Sequence, residues 1–212
     1  MSAASASTAL GTVVDARAGQ AARREHILDA AEACFVRNGF HRTTMQDLAR
    51  EAAMSPGNFY RYFESKEALI LGWAERERGR GALLVESLER QGDRRAAFLG
   101  VITQYFTAIT REAAVLRLDI WSEATRNPAI AAMTERTEAE AKAWIVDTIA
   151  ALSTDPACDP AAVYAVLDPL MKGLLVGRAL VADFDTPAAV ATLRAAIEAG
   201  LAGRLPTVEP TR

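Results

Sequence analysis

The stretch from Arg42 to Ala68, RTTMQDLAREAAMSPGNFYRYFESKEA, constrains the fold more than any other part of this chain. It begins with Thr43 and Thr44, either of which can cap a helix, because a Thr hydroxyl accepts a hydrogen bond from an N–H group that has no partner within the helix. Gln46 or Asp47 can return a bond to the backbone of the capping residue, which completes a capping box. The pattern predicts a short helix. Its apolar side carries Leu48, Ala49 and Ala52.

Two further start signals follow within the same stretch. Ser55 precedes Pro56, and proline fits the first position of a helix, where its missing N–H costs nothing. The second helix should therefore run from Pro56 to about Tyr62. Ser65 can cap a third helix a few residues later. Three caps so close together predict short helices that cross one another.

The second of these helices has two different faces. Phe59 and Phe63 are four residues apart and should point inward together, given the 3.6-residue period. The outward side carries Gly57, Asn58, Tyr60 and Arg61. Two helices joined by a short turn can place the second in the major groove of DNA, where its side chains reach base edges. An ordinary helical corner would show the same pattern, so the motif alone leaves both interpretations open.

Composition allows a DNA-binding role without demanding it. The chain has 212 residues and a formal net charge of −3, so it is not a polycation that would coat nucleic acid. Residues 1–66 carry a net charge of +1 and the remainder −4. The balance of 50% hydrophobic and 24% charged residues indicates a globular protein of one domain or two small ones.

We expect the protein to be cytoplasmic. The N-terminal sequence MSAASASTALGTVVD has neither the basic region nor the long apolar run of a signal peptide. The most apolar later segment, Ala161 to Phe184, is interrupted by Asp168, Lys172 and Arg178, which we take to exclude a membrane span.

Apolar residues keep helical spacing throughout, and no segment alternates as a strand would, so we predict an all-α protein of about nine helices. A first helix should run from about Gln20 to Asn38, with Gly39 as its C-terminal stop. The N-terminal segment is rich in Ser, Ala and Thr, which is typical of a mobile tail. The predicted parts are this tail (1–19), a three-helix N-terminal domain (20–66), a larger helical C-terminal domain (67–204) and a C-terminal tail (205–212).

The C-terminal domain begins with a long helix from Ser65. This helix contains Gly79 and Gly81, where we expect a bend, because glycine weakens helix interiors by about 1 kcal/mol. Further helices are predicted for Arg94 to Arg111, Ala113 to Asn127 and Pro128 to Leu152.

Large side chains of the C-terminal domain can line one apolar ligand cavity. Taken singly, aromatic and Met residues at helical spacing belong to a core more often than to a pocket. The candidate ligand-binding residues are Phe98, Tyr105, Phe106, Leu116, Trp121, Met133, Trp144 and Met171.

The last two predicted helices carry more apolar surface than one neighbour would cover. Pro169 lies within the first of them and should kink it or start a new helix. The second starts at Thr186. Paired with the same helices of another copy, they would form a four-helix homodimer interface. The predicted interface residues are Val163, Leu167, Leu170, Leu174, Gly177, Val181, Val190, Leu193 and Ile197.

The residues from Ile27 to Leu69, ILDAAEACFVRNGFHRTTMQDLAREAAMSPGNFYRYFESKEAL, resemble the DNA-binding domain of the TetR (tetracycline repressor) family of transcriptional regulators. WSEATRNP, from Trp121 to Pro128, is similar to a phrase in some effector domains of that family. The resemblance implies a homodimeric repressor whose N-terminal helix-turn-helix domain binds a palindromic operator in double-stranded DNA. It also implies that a small-molecule effector binds the C-terminal domain and releases the operator.

The resemblance further implies which residues contact DNA. Lys and hydroxyl donors suit phosphate, whereas Arg can pair with guanine and Asn with adenine. Phosphate contacts are implied for Thr44, Ser55, Tyr60, Tyr62 and Lys66. Base-edge contacts are implied for Gln46, Pro56, Gly57, Asn58, Tyr60 and Arg61. Many family members have Gly where this chain has Ala53, and a positive φ at this alanine would cost about 1–2 kcal/mol.

Two alternative functions remain at this level. An effector-independent dimeric regulator would show the same motif and the same apolar helices. An all-α enzyme has little support, because His26 and His41 are the only histidines and no Ser/His/Asp, Cys/His or metal-ligand spacing is present. We therefore expect no catalytic residue, no metal site and no cofactor.

Overall fold

A computed structural model describes residues 3–90 and 92–205, with the backbone alone described in 3–17, 84, 88 and 89. These residues form nine α-helices and no β-strand, which confirms the all-α prediction. The chain divides into two compact units, Met1–Trp73 and Ala74–Arg212. The helices are α1 (Ala3–Asn38), α2 (Met45–Glu51), α3 (Pro56–Tyr60), α4 (Lys66–Glu89), α5 (Arg94–Ala108), α6 (Arg111–Ala124), α7 (Pro128–Leu152), α8 (Pro160–Leu180) and α9 (Thr186–Leu201).

Helix α1 is longer than predicted. It begins at Ala3 and not at Gln20, and it ends as predicted before Gly39, whose φ is 77°. Residues 3–19 are thus helical where a mobile tail was predicted. The physical reason is composition, because this segment is rich in Ala and contains no Pro, and Ala has the highest helix propensity. The outermost parts of the two predicted tails, residues 1–2 and 206–212, lie outside the described residues.

In the first unit, α1 packs on α2 and α2 packs on α3. The side chains of Ile27, Leu48 and Phe59 are fully buried, and Phe63 is 2% exposed. A Cβ at Gly72 of α4 would lie 2.8 Å from the Phe63 ring, so this glycine lets α4 approach closely. The inward direction predicted for Phe59 and Phe63 is confirmed.

In the second unit, α5, α7 and α9 begin at the predicted residues. Helix α5 ends at Ala108, earlier than predicted, and α6 begins earlier, at Arg111, because the Thr110 hydroxyl caps it. Helix α4 is a continuous helix through Gly79 and Gly81. Side-chain oxygens at the helix starts accept bonds from first-turn N–H groups, as the capping rules require. The capping residues are Asp93, Thr110, Asn127, Asp159 and Asp185.

Helix α8 is central to the second unit and packs against α6, α7 and α9, while α5 packs on α9. Side chains of α5, α7, α8 and α9 form one buried apolar cluster. Six of the nine predicted interface residues belong to it and are at most 5% exposed, so they are already covered within the single chain. Their regular spacing marks the side of α8 and α9 that packs within the chain itself. The six are Val163, Leu167, Leu174, Val190, Leu193 and Ile197.

The other three predicted interface residues lie elsewhere. Leu170 and Val181 are 40% and 50% exposed. Gly177 packs under a neighbouring ring, since a Cβ there would clash with Phe184.

A second apolar side of α8 faces away from the cluster. Leu170, Val176 and Leu180 lie on it with 40%, 37% and 68% of their surface exposed. Pro169 neither ends the helix nor starts a new one, because α8 is continuous from Pro160 to Leu180. No charged residue falls within this side, which we call the outer face of α8. It consists of Ala165, Val166, Pro169, Leu170, Gly173, Val176 and Leu180.

By length and composition, α8 could also cross a membrane. Its mean hydropathy reaches 1.2 over an 18-residue stretch of which 22% is buried. The prediction that its charged residues exclude a span on composition alone is therefore too strong. A helix with one side in a core and an apolar outer face accounts for the same composition.

Candidate nucleic-acid interface

Helix α2 starts with a capping box between Thr44 and Asp47. The Thr44 hydroxyl accepts a bond from the Asp47 backbone N–H at 3.1 Å, and the Thr44 N–H donates to Asp47 Oδ2 at 3.0 Å. The same hydroxyl donates to Asp47 Oδ2 at 2.6 Å. This side-chain bond, followed by the backbone bond, holds the pKa of Asp47 below its usual range. The start of α2 is therefore fixed by local polar bonds.

The turn between α2 and α3 contains a strained residue. Ala53 has a φ of 52°, in the left-handed region that costs an alanine about 1–2 kcal/mol. The positive φ considered for this alanine in the sequence analysis is therefore present. The Met54 N–H donates to the Ala49 carbonyl at 2.9 Å, which closes the end of α2. His26 Nε2 of α1 lies 3.0 Å from the Ala52 carbonyl oxygen, so α1 also holds this turn.

Helix α3 is a short helix with one buried and one exposed side. It ends at Tyr60, earlier than the predicted Tyr62, and Arg61 forms its C-cap. Phe59 is fully buried, whereas Tyr60 is 48% exposed. The structure brings most of the predicted base-edge residues together on this exposed side. They are Pro56, Gly57, Asn58, Tyr60 and Arg61, and Gln46 of α2 is exposed as well.

The side chains predicted to contact phosphate differ in their exposure and in the hydrogen bonds they already make. Ser55 is exposed and its hydroxyl makes no capping bond to α3. Tyr62 is half-buried. The Thr44 hydroxyl donates to Asp47, so a phosphate would have to displace that bond. The Lys66 ammonium donates to the Phe40 carbonyl at 2.8 Å.

Sequence reasoning missed the bonds that tie α1 to the rest of the first unit. Arg37 Nη2 lies 2.5 Å from Glu51 Oε2 of α2, and this hydrogen bond raises the pKa of Arg37. The buried Thr43 hydroxyl donates to the Gly39 carbonyl at 2.8 Å. Of these residues, only Thr43 could have been identified from the sequence. Two adjacent threonines cannot both cap one helix, so one of them must bond elsewhere. Glu51 lies 14 residues from Arg37, and a helical period does not indicate a contact over that distance.

Most of the predicted ligand-binding residues are buried in the core of the second unit or pack against it. Phe98, Phe106, Leu116 and Met133 are at most 6% exposed and serve the core. Trp121, Trp144 and Met171 pack against the apolar cluster, and Tyr105 is 36% exposed. The Phe98 and Trp144 rings meet edge to face, with centroids 5.5 Å apart. The physical reason is that large apolar side chains at helical spacing fill the interior first.

A groove of about 430 Å³ lies beside α5 and α9, and its volume suits a small molecule. None of the eight predicted ligand-binding residues lines it. The sequence feature that could have indicated this groove is the row of small residues along one side of α5. The lining residues are Ala96, Leu99, Gly100, Thr103, Gln104, Thr107, Ala108 and Arg194.

The first unit presents a short helix with a polar outer side, braced by a preceding helix across a tight turn. A larger all-helical unit follows it. This arrangement is that of a helix-turn-helix transcriptional regulator.

Comparison with known families specifies the class further. The model for bacterial regulatory proteins of the tetR family matches residues 27–72. The model for the C-terminal region of BetI-type transcriptional repressors matches residues 94–202, about half of the chain. The chain therefore belongs to the TetR family of bacterial transcriptional regulators. Both matched models describe transcriptional regulators.

Individual relatives agree with this assignment. The transcriptional regulator UidR of Escherichia coli K12 is 35% identical over 117 residues, which are 52% of this chain and 56% of UidR. The chain thus spans about half the length of the curated relatives it matches. Salmonella enterica GusR has a similar structure, with a TM-score of 0.63 and 26% identity over 85% of this chain and 95% of GusR. Bacillus subtilis FadR, solved with stearoyl-CoA, shares the fold at a TM-score of 0.70 and 15% identity over 84% and 98% of the two chains.

Proposed function

We propose that this protein is a cytoplasmic repressor that binds a palindromic operator as a homodimer and is released by a small-molecule effector. The exposed polar side of α3 carries the proposal. Asn58 and Arg61 offer the amide and guanidinium groups that pair with adenine and guanine edges. Phe59 anchors the same helix in the core with no exposed surface, so the polar side is held outward.

Phosphate binding would be local, because the net charge of the whole chain is −3. Ser55 and Tyr60 are the best placed of the proposed phosphate contacts, since both are exposed. Thr44, Tyr62 and Lys66 are held more firmly within the protein. We therefore expect Ser55 and Tyr60 to supply most of the phosphate binding near α3.

The homodimer would form through the outer face of α8. Leu170, Val176 and Leu180 are exposed on one apolar side of the same helix, and apolar patches of this kind mark protein–protein contacts. Ala165 and Gly173 lie on the same side of α8 and would allow a second helix to approach closely. Exposed alanines of α9, at Ala188, Ala191 and Ala195, would extend the surface. A two-fold copy of α8 and α9 would complete a four-helix contact, and the two α3 helices would need to stand about 34–36 Å apart to reach successive major grooves.

The effector would act on the second unit, which matches a repressor C-terminal region. It can release DNA only if it binds the released state more tightly than the DNA-bound state. The groove beside α5 and α9 offers a described space of suitable volume. FadR, which shares the fold, was solved with stearoyl-CoA.

One observation favours a second candidate function. The residues predicted to line an effector cavity mostly fill the core. A regulator that binds DNA without an effector would need no interior cavity. We keep this effector-independent regulator as the alternative.

Selection from a random duplex library tests the DNA-binding proposal. The wild-type protein should enrich a palindrome, and Arg61→Ala or Asn58→Ala should weaken binding to it by about 1–3 kcal/mol and relax the choice of base at one position. Arg78→Ala is the matched control, since Arg78 is an exposed arginine of the second unit that pairs with Glu140. A wild-type protein that prefers no palindrome over random duplex would overturn the proposal.

Thermal unfolding in the presence of a small-molecule library separates the two candidates. An effector at 100 times its Kd should stabilise the protein by about 2.7 kcal/mol. The same compound should then release the selected duplex. Compounds that neither stabilise the protein nor release DNA across a broad library would favour the effector-independent regulator.

A further inference from the structure

The first residue of α4, Lys66, bonds to the chain between α1 and α2. Its Nζ donates to the Phe40 carbonyl at 2.8 Å and lies 3.5 Å from the His41 carbonyl oxygen. The ammonium also lies 4.5 Å from the centroid of the Phe40 ring, within the range of a cation–π contact. We call residues 39–43 the α1–α2 turn. Lys66 thus contacts both the backbone and a ring of this turn.

The ring beneath the ammonium is itself fixed in the core. Phe40 is 3% exposed, and its ring centroid lies 5.3 Å from that of Phe35. Hydrogen bonds from a charged donor are about twice as strong as neutral ones. The ammonium is therefore directed at the protein by a strong bond and a rigid neighbour.

The α1–α2 turn leads directly into the capping box of α2. The Thr43 hydroxyl holds the turn from within through its bond to the Gly39 carbonyl, and Lys66 holds it from α4. The next residue, Thr44, is the N-cap of α2. Helix α2 packs on α3, so a shift of the turn would be passed to the helix that carries the proposed base contacts.

We propose that Lys66 is a positioning residue for operator recognition, whose ammonium fixes the α1–α2 turn and the start of α2, and that this role outweighs any phosphate contact. The inference rests on the proposed operator binding. An ammonium has three donors, so a phosphate could still use one N–H without displacing the bond to Phe40. The positioning role nevertheless requires no DNA, and it is testable in the free protein.

Amide hydrogen exchange of the full-length protein without DNA is the first test. The informative amides are those of Thr44, Asp47 and Leu48, which bond within the start of α2. Lys66→Met keeps a flexible apolar side chain and removes the charge and the donors. It should speed exchange at these amides about tenfold or more, because a lost charged hydrogen bond raises the population of the open state.

Arg61→Met is the matched control for this test, because it removes a cation from the proposed DNA-binding surface without touching the α1–α2 turn. Exchange at the same amides should stay at the wild-type rate. Unchanged exchange in Lys66→Met would overturn the proposal. If Lys66→Met does not fold, Lys66→Ala takes its place under the same criterion, since it also removes the charge and the donors.

DNA binding is the second test and uses the duplex that the wild-type protein selects, a random duplex and a series of salt concentrations. A positioning role predicts that Lys66→Met lowers the ratio of selected to random affinity about tenfold and leaves the salt slope unchanged. Lys66→Arg, which keeps the charge and can donate to a carbonyl, should recover part of that ratio.

Two other results would overturn the inference. A phosphate contact alone would weaken both duplexes equally and reduce the salt slope by about one. Simple loss of folded protein would weaken both equally with an unchanged slope. A wild-type protein that selects no duplex would instead disprove the proposed function, and the exchange experiment would still decide the role of Lys66.

Discussion

The two units are held together in different ways, and they expose different surfaces as a result. In the first, the start of the short helix α2 is fixed by the bonds of Thr44 with Asp47 and of Lys66 with Phe40, and α3 is anchored by the buried Phe59. In the second, long helices pack side by side through one apolar cluster. A helix of five to seven residues is unstable alone, so its orientation depends on such individual contacts. A long helix held along one side can present a second apolar side, as α8 does.

Removal of the one large anchor of α3 should have the largest effect. Phe59→Ala leaves a cavity where the ring was fully buried, and it should lower the free energy of unfolding by about 3–5 kcal/mol. Urea unfolding measures this change. Tyr60→Ala, from the 48% exposed neighbour, is the control and should weaken DNA binding with little change in stability. Equal loss of stability in both variants would show that α3 is not anchored by one side only.

A charge on the outer face of α8 should have the next largest effect. Leu180→Glu would place a carboxylate in the proposed homodimer contact and should raise the dimer dissociation constant about 100-fold or more, measured by sedimentation. Leu83→Glu on α4 is the control, because Leu83 is 66% exposed and lies outside that face. A dimer that survives Leu180→Glu would show that the outer face serves another purpose.

Relief of the strained turn should stabilise the first unit slightly. Ala53→Gly removes the cost of a positive φ, about 1–2 kcal/mol, and adds about 0.5–1 kcal/mol of unfolded-chain entropy, so a net gain of about 0.5–1 kcal/mol is expected. Ala52→Gly is the adjacent control and should destabilise, because Ala52 is 1% exposed and has a φ of −75°. Denaturant unfolding compares the two, and a loss of stability in Ala53→Gly would contradict the strain.

The smallest expected effect is on pH dependence. The pKa of Asp47 is lowered in the folded protein, first by its bond from the Thr44 hydroxyl. Its contribution to stability is therefore complete above the unfolded pKa of about 3.9 and is lost as pH falls through the lower folded value. Asp47→Asn should make the midpoint of thermal unfolding less sensitive to pH below about pH 4. The same slope in both proteins would argue against the capping box as its source.

Much of the first unit was predictable because its determinants are local. A capping Thr, a proline after Ser55 and two phenylalanines four residues apart each act over a few positions. The strained alanine was identified in advance from the family resemblance, because many family members have Gly at this position. What escaped prediction were contacts across long sequence distances, such as Lys66 with Phe40, because no periodic pattern encodes them.

In the second unit, the sequence predicts where the helices lie but not which of their sides are buried. Helix positions followed from caps and periodicity, but which side of α8 stays exposed in the single chain did not. Val163, Leu167 and Leu174 have the regular spacing of an interface, and they are buried within the chain. Periodicity reveals that a side is apolar, and α8 has two such sides. Only the packing of α6, α7 and α9 decides which of them is already covered.

Pro169 leaves a backbone carbonyl on the outer face of α8 that must be hydrated. Proline has no N–H, so the Ala165 carbonyl loses its usual donor one turn later in the helix. Both residues are exposed, and bulk water can satisfy this oxygen in the single chain. In a homodimer through this face, an unsatisfied buried carbonyl would cost about 1–3 kcal/mol. The contact should therefore enclose an ordered water at this carbonyl and cannot be uniformly dry.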